Sequence, residues 1–125
     1  MFALPSILAL NATSCVLFGL LFLALPGTVA AFLGTPPAPA WLIAAIGAVL
    51  LANGAHLAWA ARRQRPRRAL VLYFSGGDIA WVIATLALIA AGVWINTPGG
   101  IAVALIVAMA VGAMGVLQWR ASTRT

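Results

Sequence analysis

The chain has one histidine, His56, and one acidic residue, Asp78. An imidazole and a carboxyl are among the side chains most often used to take and give protons. His56 closes the stretch Asn53-Gly-Ala-His56, and Asp78 lies in Gly76-Gly77-Asp78-Ile-Ala-Trp81. Between them runs the strongly charged segment Arg62-Arg63-Gln64-Arg65-Pro66-Arg67-Arg68. Both polar stretches sit inside long apolar runs, so whatever they do is done in surroundings that penalise charge. In hydrocarbon an ionised carboxyl costs at least about 2.5–3.5 kcal/mol on insertion scales. Asp78 therefore needs a partner in the interior of a helix bundle, and the sequence nominates His56.

The runs themselves set the class. Of 125 residues, 65% are hydrophobic and 6% charged, with mean hydropathy +1.13. A soluble domain carries roughly a quarter charged residues. A globule this small cannot hide such runs inside itself. The expected fold is an all-α integral membrane protein, a bundle of four transmembrane helices over residues 6–26, 41–61, 70–95 and 101–119. Each run has about the twenty residues that cross a hydrocarbon core, and helices are required because lipid leaves backbone groups unsatisfied. The first run is read as a retained span and not a signal peptide, since no basic residue precedes it. Pro26-Gly27 ends it. Residues 28–34 then form an interfacial turn, Thr35-Pro36-Pro37-Ala38-Pro39 is extended, and Asn96-Thr97-Pro98-Gly99-Gly100 is a tight turn.

All seven basic residues are arginines, five of them Arg62, Arg63, Arg65, Arg67 and Arg68 and the others Arg120 and Arg124. By the positive-inside rule they place both termini in the cytoplasm and the protein, multi-pass, in a bacterial inner membrane. They act as topology determinants, with anionic headgroups as a further partner. No aromatic-interleaved basic surface accompanies them, so nucleic acid is not an expected partner. The expected partners are the bilayer and a second copy or another membrane protein. Trp41, Trp59, Trp94, Trp119 and Tyr73 fall near span ends, as interfacial aromatics do. Sliding the second run sixty residues onto the fourth superposes Ala44, Ala48 and Ala52 on Ala104, Ala108 and Gly112. That suggests two duplicated helix hairpins with small-residue stripes as packing faces.

Counting about 1.5 Å per residue, His56, Asp78 and Asn11 come out at similar depth. Asn53 shares the face of His56, and Ser14 that of Asn11, by the three-residue rule. Ser75 and Trp81 stand in that relation to Asp78. The fourth run offers small residues at this level, with Gln118 nearer the surface, while Gly76-Gly77 would admit a neighbouring helix. The candidate ligand or proton site is thus His56, Asp78, Asn53, Asn11, Ser75 and Trp81. Trp81 and Asn11 are read first as core packing and interhelical glue. Cys15, the sole cysteine, is a packing residue that can form no internal disulfide.

Enzyme motifs are lacking: there is no second carboxyl, metal-ligand cluster or glycine-rich phosphate loop, and no cofactor is indicated. Two functions stay open. In one, the polar site binds or moves a small polar species or protons. In the other, the chain is an accessory or structural subunit whose polar cluster only holds helices together.

Overall fold

The computed structural model describes residues 4–63 and 67–122. Five helices occur in order: α1 Leu4–Ala24, α2 Pro26–Leu33, α3 Ala40–Ala61, α4 Arg68–Ala91 and α5 Pro98–Ser122. Among the described residues there is no strand. Helices α1, α3, α4 and α5 are each long and apolar enough to cross a membrane. Arg65 and Arg124 lie outside the described residues, whereas Arg62, Arg63, Arg67 and Arg68 are exposed at one end of the bundle.

Local chemistry explains the boundaries. Proline lacks an amide hydrogen and is tolerated in the first turn of a helix, so α2 starts on Pro26 directly after α1 stops. The expected interfacial turn is this helix. Pro98 plays the same part in α5, where Thr97 is the cap: its Oγ accepts from the Gly100 amide at 3.0 Å. The expected tight turn at 96–100 is therefore half turn and half helix. Threonine, then proline, at the head of an apolar run is a helix-start pattern. Helix α4 ends at Ala91, short of the expected residue 95, because Gly92 takes a left-handed φ of 67°. Its amide and that of Val93 bond back to Ile89 and Leu88, closing the last turn.

The chain packs as two antiparallel hairpins, α1 with α3 and α4 with α5; α1 and α5 join them. Small residues set the first crossing. A Cβ on Gly19 would lie 2.9 Å from the Gly47 carbonyl oxygen, and one on Gly47 equally close to that of Gly19. Gly54 repeats the approach against Ala12, Cys15 and Val16. Without a hydrophobic drive between helices in lipid, such backbone proximity is a main source of attraction. Gly47→Val is expected to lower stability by about 1–3 kcal/mol through overpacking, read from unfolding in detergent micelles. Full retention of stability would show that the crossing can slide apart without cost.

The expected alanine stripe is half right. Ala108 is buried, but Ala48 and Ala52 face outward, and α3 instead buries Ile43, Gly47, Gly54 and Leu57. Burial on α3 recurs on α5 after sixty-one residues, Gly47, Gly54 and Leu57 answering to Ala108, Gly115 and Gln118. The sixty-residue slide is off by one position, which on a helix is a rotation of about 100°.

At the end away from the arginines, the α4–α5 turn is tied to the α2–α3 connector. Thr35 and Asn96 exchange two hydrogen bonds, amide to Oδ1 at 2.8 Å and Nδ2 to carbonyl at 2.9 Å. The Leu33 carbonyl accepts from the amides of Asn96 and Thr97 at 3.0 and 3.2 Å. Thr97 Oγ donates to the Phe32 carbonyl at 2.6 Å.

Candidate functional site

A polar layer crosses the four long helices toward their arginine end, and Asp78 is at its centre. Asp78 Oδ2 accepts from Asn11 Nδ2 and from Gln118 Nε2, each at 3.0 Å. Asn11 Nδ2 also donates to Gln118 Oε1 at 2.7 Å, so α1, α4 and α5 are closed into one ring of side chains. Gln118 Nε2 reaches Ser75 Oγ at 3.4 Å, and Ser75 donates to the Gly115 carbonyl at 3.0 Å. On the other side, Cys15 Sγ lies 3.6 Å from Asn11 Oδ1, and Asn53 Nδ2 lies 3.5 Å from Cys15 Sγ. Asn11, Ser75, Asp78 and Gln118 are all buried, Gln118 completely.

The helices make this ring for a reason of direction. Every Cα–Cβ bond leans toward the N-terminus of its own helix. On α4 that lean carries Asp78 toward the arginine end, while on the antiparallel α5 it carries Gln118 away from that end. The two side chains therefore converge from different levels. Gly115 gives them room: a Cβ there would lie 3.1 Å from that of Asp78.

Several expectations are corrected here. Asp78 is not paired with His56. His56 faces outward on α3, among the rings of Trp59, Tyr73 and Phe74 at centroid distances of 5.7, 6.2 and 5.0 Å. The face of α3 that meets α1 is the glycine stripe, and His56 lies off it. Asn53 does join the layer, through Cys15, without bringing His56 along. Gly76 and Gly77 admit no helix, since a Cβ at either would meet nothing within 4 Å. Trp81 is half-buried and outside the hydrogen-bonded ring, and Ser14 bonds locally to the Leu10 carbonyl. Asn11, Ser75 and Asp78 are brought together as expected. Gln118 was the missed member. Its signal was present, for a lone amide in an apolar run is costly unless it finds a partner.

No family model, curated protein or solved structure matches this chain. What the site does rests on its own chemistry. Among the described residues no group of three His, Cys, Asp or Glu side chains could hold a metal ion. Among the described residues no fully buried side-chain nitrogen or oxygen lacks a hydrogen-bond partner. The donors that meet the carboxyl are neutral amides, which bring hydrogen bonds and no countercharge.

Two clefts open elsewhere on the surface. One, of about 240 Å³, lies along α1 against α3 and is lined by Ala12, Thr13, Val16, Leu17 and Ala58. The other, of about 450 Å³, lies between the arginine ends of α3 and α4. It is lined by His56, Trp59, Arg63, Arg67, Ala69, Leu70 and Tyr73. His56 thus belongs to a second, outward-facing group of residues, separate from the buried layer.

Proposed function

We propose that this chain is a multi-pass protein of a bacterial inner membrane, with both termini cytoplasmic, serving as a small helical scaffold or accessory subunit. The Asn11–Asp78–Gln118 ring is its clasp. The four long apolar helices support the membrane reading, as do the exposed Leu17, Val49, Ile83, Ile106 and Met109 on their outer faces. The arginines at one end support the orientation. The observation that carries the clasp is the closed hydrogen bonding: side chains from three helices bond to one another in one ring, Asp78 through its Oδ2. Interhelical hydrogen bonds of this kind hold bundles in register, at an average of about 0.6 kcal/mol each.

Asp78→Asn tests this reading. An amide has the size of the carboxyl and can accept through oxygen while donating through nitrogen, so a clasp survives it. Stability is expected to change by less than about 1 kcal/mol, with assembly and partner recovery in mild detergent unchanged. A second reading, a proton or small polar ligand bound at Asp78, is favoured by one observation: the side-chain donors to the carboxyl among the described residues are neutral amides and not cations. That reading requires Asp78→Asn to abolish a proton or solute flux in proteoliposomes while the fold stays intact. Such a loss would overturn the clasp.

A further inference from the structure

We propose that the cleft between the arginine ends of α3 and α4 is a binding site for the phosphate headgroup of an anionic phospholipid. The proposal rests on the membrane reading above and is independent of the clasp. Sequence-adjacent though they are, α3 and α4 each pack chiefly on another helix, α1 and α5. A lateral opening of about 450 Å³ is left between them, at the end where both begin or finish. Its walls are of two kinds. Arg63 and Arg67 line one part, with the Arg63 guanidinium carbon 4.8 Å from the centre of the Trp59 ring. Ala69, Leu70 and the rings of His56, Trp59 and Tyr73 line the rest.

The charge in this cleft is one-sided. Asp78 is the only acidic side chain in the sequence, and it is buried in the clasp. No carboxylate side chain is therefore available to neutralise Arg63 and Arg67. Guanidinium groups match phosphate oxygens in a two-pronged geometry. Basic pockets between spans on the cytoplasmic side are a setting where acidic headgroups dock. The apolar part favours a lipid over a free phosphate. Trp59 and Tyr73, which line the opening, expose large apolar surface, a track along which an acyl chain can lie once its headgroup is held.

Native mass spectrometry of the protein in neutral detergent, titrated with phosphatidylglycerol or phosphatidylcholine, tests the site. The expected result is one phosphatidylglycerol retained in preference to phosphatidylcholine. Arg63→Gln with Arg67→Gln should weaken that retention roughly tenfold or more, at about one basic side chain's attraction each. Arg62→Gln with Arg68→Gln removes the same charge outside the cleft lining and should leave retention nearly unchanged. Equal weakening by the two double variants would overturn the proposal in favour of diffuse attraction. Equal retention of both lipids would overturn it too, as would displacement by millimolar inorganic phosphate, which would mark a free-anion site. Alkaline extraction of native membranes reports separately on membrane integration, so its failure is distinguishable from loss of the site.

Discussion

Asn11→Leu is expected to destabilise the bundle by about 2–3 kcal/mol, whereas changing Asn11, Asp78 and Gln118 together to Leu, Leu and Met should cost much less or even stabilise it. The asymmetry follows from where the bonds go. Asn11 Nδ2 donates to acceptors on two other helices, so its loss strips Gln118 Oε1 of its donor and leaves Asp78 with one. An abandoned buried polar group costs about 1–3 kcal/mol, more when charged. Removing all three members takes away the donors and acceptors of the ring together, Ser75 keeping its bond to the Gly115 carbonyl, and shape-matched apolar replacements of buried polar sets are often neutral or favourable. Leucine matches the branched outline of both asparagine and aspartate, and methionine that of glutamine. Unfolding in micelles by denaturant, followed by circular dichroism, would give the two numbers. If the triple variant lost as much as the single one, the ring would not be a unit and the clasp would fail as an account.

Gly34→Ala should be the most damaging change at the opposite end, at about 3 kcal/mol, since overpacking against backbone cannot be relieved by a rotamer. Gly34 is extended, with φ −161°, so the backbone would tolerate alanine; space is what fails. A Cβ there would lie 3.0 Å from the Trp94 Cα and nearer still to its carbonyl group. The α4–α5 turn would have to lift, breaking the paired bonds of Thr35 with Asn96. Gly27→Ala in α2 is the control, because a Cβ there meets nothing within 4 Å. It should gain up to about 1 kcal/mol from helix propensity. Hydrogen exchange of the Asn96 and Thr97 amides would register the first change and not the second. Protection unchanged in Gly34→Ala would show that the turn adapts.

The four long helices were legible because long uncharged runs admit one solution in lipid. Their facing was not. In water a helix advertises its buried side by polarity, but here the outer faces are as apolar as the core, Leu17 and Met109 outside against Leu8 and Leu57 inside. The few polar residues had to carry all of the facing information. Asn11, Ser75 and Asp78 did so, while His56 misled because an amphipathic ring can also lie outward against other aromatic rings near a helix end. Counting depth by Cα alone put Gln118 too close to the surface, because a long side chain leaning up its helix moves the functional atoms well beyond the Cα level. The end of α4 was overrun because Val93, Trp94 and Ile95 prolong the apolar run past Gly92, and hydropathy has no term for a left-handed residue.

The ring of Asn11, Asp78 and Gln118 also joins residues from the two ends and the middle of the chain. A chain is made from its amino end. Asn11 is therefore made before Asp78, and Gln118 comes forty residues later. Until Gln118 is made, only one of the carboxyl's two ring donors exists. Helix α4 packs chiefly on α5, and the two hairpins meet through α1 and α5, so the ring can close only once α5 brings Gln118 between Asn11 and Asp78.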